Sequence, residues 1–319
     1  MPLPKKNAIT TYFSWSSYSG RIRGQKGLDA KDTNDKAKDL LKKAEELLEE
    51  AKKRVELAES GCELAFARFG EKKLHVLSHG VSNFLDHFHR LKRSTITIKG
   101  INMQDIQRQV SDVRNLLNQL NANGIDGDSA LGVIAGFGSL GISGFTTGAM
   151  LGGGLVAGPA LAILGALSAD EMEKKRDDAK AYYSQVEAAV KKADAMIDNL
   201  QAVRKMAELF TRQITKFDAL FFSLAQDAIA TMKKHNYDTS RYNQRERDQL
   251  CVTVSTLMTL STFLKVSIMD KHQKLNEKAK NALNLMRKQM DSLENGNYSL
   301  DGIRFRQARL EDLRDDKTS

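Results

Sequence analysis

Apolar and small residues recur every four and then three positions along a long segment that begins at Ala37. This average spacing of 3.5 residues is typical of a coiled-coil seam, and Lys and Glu occupy most of the other positions. The first seam consists of Ala37, Leu41, Ala44, Leu48, Ala51, Val55, Ala58, Cys62, Ala65 and Phe69. After one slip the pattern resumes at Leu74 and continues to Leu91. It predicts a helix over about 33–92, with a capping side chain at 32–34.

A second seam keeps strict register over a longer stretch and predicts a helix that ends near His235. Its members are Tyr182, Val186, Ala189, Ala193, Met196, Leu200, Val203, Ala207, Phe210, Ile214, Phe217, Phe221, Leu224 and Ala228. A turn is expected from Asn236 onward, where the chain becomes polar. A looser third seam follows at Leu250, Val254, Leu257, Leu264, Ile268 and Leu275 and continues raggedly towards Leu293.

Between the first and second seams lies a segment of different composition. Residues 129–169 contain no Asp, Glu, Lys, Arg or His, and eleven of the 22 glycines of the chain fall within these 41 positions. Five of the glycines form a stripe with a four-residue step, interrupted only by Leu140. They are Gly132, Gly136, Gly144, Gly148 and Gly152. Uncharged stretches of this length are typical of membrane segments, in which small residues at every fourth position let helices pack closely.

Residues 152–154 are three consecutive glycines and predict a turn inside this segment. Gly158 and Pro159 are suited to the start of a second helix, since proline is tolerated in the first turn. As helices, residues 129–151 would reach about 34 Å and residues 155–169 about 22 Å, against a hydrocarbon thickness of about 30 Å. We therefore expect a hairpin of two unequal arms. A buried hairpin that caps the bundle and a Gly-rich linker are the alternatives.

These patterns predict an all-α protein, an elongated antiparallel bundle of long heptad-patterned helices with a Gly-rich hydrophobic hairpin as its head. The expected organisation has five parts. They are a basic, aromatic and Ser-rich arm (1–30), a helical segment with a strand-like connection near 94–101 (31–128), the hairpin (129–169), two long helices (170–294) and a polar tail (295–319). The only prolines, Pro2, Pro4 and Pro159, leave the long helices uninterrupted.

Long heptad helices around a charge-free, Gly-rich hairpin resemble the α-helical pore-forming toxins of the cytolysin A and haemolysin BL type. The resemblance is one of architecture and covers roughly residues 31–294. In those toxins a helical bundle shelters a hydrophobic head that is released to insert and oligomerise. The resemblance therefore implies membrane insertion and implies no catalytic residue.

The histidines provide a further candidate site. His75 and His79 lie four residues apart on one predicted helical face, and His87 and His89 follow closely. The first pair could share a metal ion or repel each other when protonated, or the histidines could have no special role. Neither cysteine nor a well-placed carboxylate completes a metal site. We expect no metal, no cofactor and no catalytic site elsewhere.

Charge and composition restrict partners and location. The formal net charge is +9, but five positive charges precede the first acidic residue, Asp29, so the remainder is only moderately basic. No nucleic-acid partner is expected. The start of the chain lacks the apolar core of a secretory signal, and Cys62 and Cys251 suggest reduced thiols. We expect a soluble form that is cytoplasmic or exported by a non-Sec route and is membrane-associated when active.

The favoured function is that of a non-enzymatic protein that inserts its hairpin into a lipid membrane, as a homo-oligomer or with partner helical subunits, and forms a pore or disrupts the bilayer. The residues expected to pack or insert are Gly132, Gly136, Phe137, Leu140, Gly144, Phe145, Gly148, Met150, Leu151, Gly152, Leu155, Gly158 and Leu161. The alternative is a soluble coiled-coil scaffold or accessory subunit whose hairpin docks on a protein partner.

Overall fold

The computed structural model describes residues 19–91, 176–270, 274–296 and 299–313. Helices account for 88% of the interpretable residues, so the all-α prediction is confirmed for the described part of the chain. The elements in chain order are α1 (Ser19–His75), a π-helical turn (Val76–Val81), α2 (Ser82–Phe88), α3 (Arg176–Lys234), a 3₁₀ turn (Thr239–Arg241), α4 (Gln244–Leu264), α5 (Glu277–Glu294) and α6 (Leu300–Glu311). Within these ranges no helix combines the length and the hydropathy needed to cross a membrane.

The chain forms two compact units. The described parts of 1–52 and 162–192 belong to the first unit, and those of 53–161 and 193–319 belong to the second. In the first unit the buried side chains are seam residues of α1 and α3, separated by exposed Lys, Glu and Asp. They are Ala37, Ala44, Leu48, Ala51, Ala179, Tyr182, Val186 and Ala189. The five alanines among them suit closely spaced helices.

In the second unit α1 and α2 pack against α3 in the same chain direction. Arg54 pairs with Asp194 at 2.8 Å, and further along the ring centroids of Phe84 and Phe221 lie 5.9 Å apart. Because both residue numbers increase together, the helices run parallel, whereas the sequence predicts an antiparallel bundle. Antiparallel packing follows from a short connection. The 84 residues of 92–175 lie between α2 and α3, so no short connection fixes their relative direction.

The next helix, α4, runs antiparallel to α3. The hydroxyl of Thr253 donates to the carbonyl oxygen of Leu224 at 3.3 Å, and the rings of Phe210 and Phe263 stack with centroids 4.6 Å apart. The residue numbers on α3 fall as those on α4 rise. Here the connection is short, since α3 ends at Lys234 and α4 begins at Gln244. The predicted end of this helix near His235 is therefore correct within one residue.

Every residue from Val252 to Val266 is buried, so α4 is enclosed on all sides from Val252 onward rather than along one seam. Six of these buried residues carry hydroxyl groups. Thr253, Thr259 and Thr262 each donate to the carbonyl oxygen four residues earlier, at 2.8–2.9 Å. These bonds satisfy three of the hydroxyl groups within the helix itself, whereas the buried Thr256 hydroxyl has no hydrogen-bond partner among the described residues.

The third seam is interrupted, which corrects two expectations. The chain leaves the helical conformation between α4 and α5, and the side chain of Asn276 then caps α5 by accepting from the Lys278 N–H at 3.0 Å. The described part of the range 170–294 thus contains three α-helices, where two were expected. The range 295–319, predicted as a polar tail, contains α6, whose Ile303, Gln307 and Leu310 are buried. Only these three residues of α6 are buried, which is too few for a repeating apolar seam to be recognised in the sequence.

The first helix also begins earlier than predicted. The cap was expected at 32–34, after a non-helical arm over 1–30, but α1 begins at Ser19. No proline lies between Ser19 and this cap, and a helix already formed can extend through such residues at little cost. The strand-like connection near 94–101 lies outside the described residues.

Candidate functional site in the histidine segment

The predicted insertion residues lie outside the described part of the chain. They are Gly132, Gly136, Phe137, Leu140, Gly144, Phe145, Gly148, Met150, Leu151, Gly152, Leu155, Gly158 and Leu161. The other predicted site, the histidines from His75 to His89, is described and lies at the end of α1 and along α2.

The histidine segment begins where the apolar register of α1 shifts. The 4–3 alternation places Lys72 at the seam position after Phe69, and the next residue, Lys73, is fully buried although it lies one position off the seam. The following turn, Val76–Val81, is π-helical and holds one more residue than a regular turn. Val76 continues the register of the first seam, and Leu77 belongs to the register that resumes at Leu74. Both residues are buried, so the two registers overlap at this turn. The slip in the sequence pattern thus coincides with a local change of helix geometry.

Lys73 and its neighbour Lys72 lie in different environments. The Lys73 ammonium lies 4.3 Å from the centroid of the Phe69 ring, and burial lowers the pKa of this lysine to about 7. The Lys72 ammonium forms a 2.8 Å ion pair with Asp218 of α3, and both side chains are mostly buried. The Lys72 charge is therefore compensated by a carboxylate, whereas burial of the Lys73 ammonium disfavours its charged form.

His75 and His79 are both exposed, and their rings stack with centroids 4.7 Å apart. Nδ1 of His79 lies 2.9 Å from the Ser78 hydroxyl and 3.2 Å from the His75 carbonyl oxygen. No group of three or more His, Cys, Asp or Glu side chains suited to a metal ion occurs among the described residues. The structure brings the two rings together, as the spacing predicts.

His87 contacts a residue distant in sequence. Its Nδ1 lies 2.8 Å from the hydroxyl of Tyr237, and the two rings are nearly parallel with centroids 6.0 Å apart. The Arg90 guanidinium covers the Tyr237 ring at 4.1 Å. Burial, Lys233 and Arg90 lower the pKa of His87, and Asp86 opposes them only partly. The end of α2 is thereby joined to the turn that follows α3.

That turn has an uncommon backbone. Asn236 and Tyr237 both have positive φ, 52° and 63°, and the Tyr237 N–H donates to the Met232 carbonyl oxygen at 2.8 Å. Positive φ is common for glycine and rare for a bulky residue such as tyrosine. The contacts of the Tyr237 side chain with His87 and Arg90 help to hold its backbone in this conformation. The tyrosine is the partner that sequence reasoning missed, because no local pattern relates residues 150 positions apart.

The same turn contains a second histidine contact. His235 Nε2 lies 3.0 Å from Glu246, and the Lys234 ammonium donates to this carboxylate at 2.8 Å. Hydrogen bonds from His235, Lys234 and the Asn243 backbone N–H lower the pKa of Glu246 to about 2. Glu246 also completes the capping box of α4, since its backbone N–H donates to Asn243 at 2.9 Å. The Glu246 carboxylate thus joins the end of α3 to the start of α4 through its hydrogen bonds with Lys234, His235 and the Asn243 N–H.

Neither cysteine has the environment of a nucleophile. Both are free; Cys62 is buried and Cys251 partly so. Burial raises the pKa of Cys62 to about 12 and also raises that of Cys251. Reactive cysteines need an environment that stabilises the thiolate.

Comparison with models of protein families, with curated proteins and with solved structures finds no match for this chain. A role for the histidine segment therefore rests on its own geometry. The pKa values of His87, Lys73 and Glu246 differ from their ordinary values, and the contact of His87 with Tyr237 joins α2 to the α3–α4 turn. Such an arrangement can make the stability of this unit depend on pH.

Proposed function

We propose that this protein inserts residues 129–169 into a lipid membrane and, after oligomerisation, forms a pore or disrupts the bilayer. The observation that carries the proposal is the run of 41 residues without an ionisable side chain, in a chain in which 28% of the residues are charged. A segment of this length and composition matches the requirements of a bilayer better than those of a water-facing surface.

The glycine stripe supports oligomerisation as part of the proposal. Each glycine in a helix costs up to about 1 kcal/mol relative to alanine. Selection for a stable water-soluble bundle would not favour eleven of them in one segment. In a bilayer, where burial of apolar surface does not drive helix association, small residues at a four-residue step permit close backbone packing. Gly144 and Gly148 lie in the middle of this stripe and are suited to a test.

The test uses protein purified without detergent and liposomes loaded with a self-quenched dye. We expect the wild-type chain to float with the liposomes and to release the dye. Gly144→Leu places a bulky side chain on the stripe and should strongly reduce release. The matched control is Gly138→Leu, since residue 138 is not a member of the stripe and lies about 120° from Gly144 around a helix.

Three outcomes would contradict the proposal or a part of it. A chain that neither floats nor releases dye, but binds a protein partner through residues 129–169, is the scaffold or accessory subunit of the alternative. A chain that is insoluble without detergent is a permanent membrane protein. Equal dye release by wild type and Gly144→Leu removes the role of the stripe in assembly.

A further inference from the structure

Two polar side chains meet between α5 and α6 and leave donors without acceptors. The Nε of Arg306 donates to Oε1 of Gln289, and Gln289 is completely buried. The Nε2 of Gln289 and one terminal guanidinium nitrogen of Arg306 are also buried, yet neither has a hydrogen-bond partner. Buried donors without acceptors are uncommon in folded proteins, and charged ones are especially costly.

The guanidinium of Arg306 also lies against the first turn of α6. Its two terminal nitrogens are 3.6 and 3.8 Å from the position that a Cβ on Gly302 would take. The side chain of Ser299 caps this end by accepting from the Gly302 N–H at 3.0 Å. The N–H groups of the first turn and the helix dipole add positive potential at the same place.

No counter-charge balances this cluster within the described ranges. No ion pair joins Arg306 to a described carboxylate, and burial lowers its pKa. Asp301 is in the first turn of α6, but its side chain is exposed. Arg54, by contrast, pairs with Asp194. A partly buried cation with unused donors indicates a missing anion.

We propose that Arg306, Gln289 and the N-terminal turn of α6 form a binding site for a phosphate group. The Arg306 guanidinium contacts the buried Gln289 amide and lies beside the first turn of α6, so that donors of three kinds are close together for the oxygens of one phosphate. Arginine binds phosphate oxygens through two parallel hydrogen bonds. The phosphate can be a free anion or the headgroup of an anionic phospholipid. The site does not depend on membrane insertion.

The experiment measures binding of inorganic phosphate by calorimetry and by the thermal shift of the full chain. Sodium chloride at equal ionic strength controls for general screening. We expect phosphate to raise the melting temperature more than chloride does. Arg306→Gln should weaken phosphate binding roughly tenfold or more, because a hydrogen bond to a charged group is lost. Arg309→Gln is the matched control, since Arg309 is exposed on the same helix.

A second variant separates binding from folding. Gln289→Glu supplies a carboxylate to Arg306 from within the chain. We expect it to fold with equal or higher stability and to lose the response to phosphate. A variant that merely disturbed packing would lose stability in both buffers and keep the difference between them.

Vesicles distinguish the two sources of phosphate. Flotation with phosphatidylcholine vesicles, with or without phosphatidic acid, is compared for wild type and Arg306→Gln. Binding that needs both phosphatidic acid and Arg306 assigns the site to a headgroup. A response to inorganic phosphate alone assigns it to a free anion. The proposal is overturned if wild type responds to neither, or if Arg306→Gln responds as wild type does. If the wild-type chain releases dye from liposomes but does not bind phosphate, the phosphate site is overturned and the proposed membrane function is not.

Discussion

The ammonium of Lys73 lies 4.3 Å from the centroid of the Phe69 ring, one helical turn away on the buried face of α1. Lys73 thus lies one position beyond the heptad seam, yet its side chain is fully buried. Burial lowers its pKa to about 7 from an ordinary value of 10.5. Between these two values the unfolded chain binds a proton at Lys73 that the native chain does not. The free energy of unfolding therefore increases with pH across this interval.

Replacing Lys73 by methionine should remove this dependence. We expect Lys73→Met to be more stable than wild type at pH 7, by on the order of 3 kcal/mol, and the difference to shrink towards pH 10. Urea unfolding at pH 7, 8 and 9 measures it. Lys205→Met, at an exposed position of α3, serves as the control and should follow wild type. Parallel pH profiles for wild type and Lys73→Met would show that the buried lysine does not titrate in this range.

A second pH effect is expected on the acid side of neutrality. The pKa of His87 in the native chain is below its ordinary value of 6.5. As the pH falls below 6.5 the unfolded chain takes up the proton first, and the native state loses stability until its own lowered pKa is reached. His87→Gln does not titrate. Its loss of stability between pH 7.5 and 5.5, measured by urea unfolding, should be smaller than that of wild type; an equal loss contradicts the prediction.

The carboxylate of Glu246 should act in a third pH range. Its pKa is about 2 rather than 4.5, chiefly because of the hydrogen bond with His235. The stability that it contributes is complete above pH 4.5 and is lost as the pH falls towards 2. Glu246→Gln should therefore be less stable than wild type at pH 5.5, with a difference that narrows by pH 3. Thermal unfolding monitored by circular dichroism checks this. A constant difference would assign the effect to capping geometry instead of charge.

Two glycines should respond in opposite ways to alanine. A Cβ at Gly61 would lie 2.9 Å from the end of the flexible Arg204 side chain, which can move away, whereas Gly296 has φ +65°. We expect Gly61→Ala to stabilise the protein by about 0.5–1 kcal/mol through helix propensity. Gly296→Ala should destabilise it by about 1 kcal/mol through backbone strain. Melting temperatures measure both; destabilisation by Gly61→Ala would mean that the Arg204 position is fixed.

The seams show how much of this fold could be predicted from local pattern. In the seam from Ala37 to Phe69, all members except Leu41 and Ala58 are buried. In the second seam the exceptions are Met196 and Leu224. A 3.5-residue repeat reports which side of a helix is buried, and that is a property of consecutive residues. It does not report which helix covers that side, so the parallel direction of α1 and α3 was missed.

At the candidate sites, too, contacts within one helix could be predicted from the sequence, whereas contacts between separate elements could not. Stacking of His75 on His79 follows from a four-residue spacing on one helix, and the sequence alone indicates it. The contacts of His87 with Tyr237 and of Gln289 with Arg306 join separate elements, and no spacing rule relates them. The sequence pattern also did not indicate the burial of α4. Its Thr253, Thr259 and Thr262 donate to carbonyl oxygens of their own helix, so these polar residues can be buried.

The order of apolar and charged residues by itself determined that this protein is helical, where its long seams lie and that residues 129–169 differ from the rest. Those properties depend on neighbours along the chain, which interact whatever the tertiary fold is. Helix direction, the burial of Lys73 and the cluster around Arg306 were decided only when distant segments came together. Desolvation and charge compensation depend on every atom nearby, and those atoms come from elements far apart in the sequence.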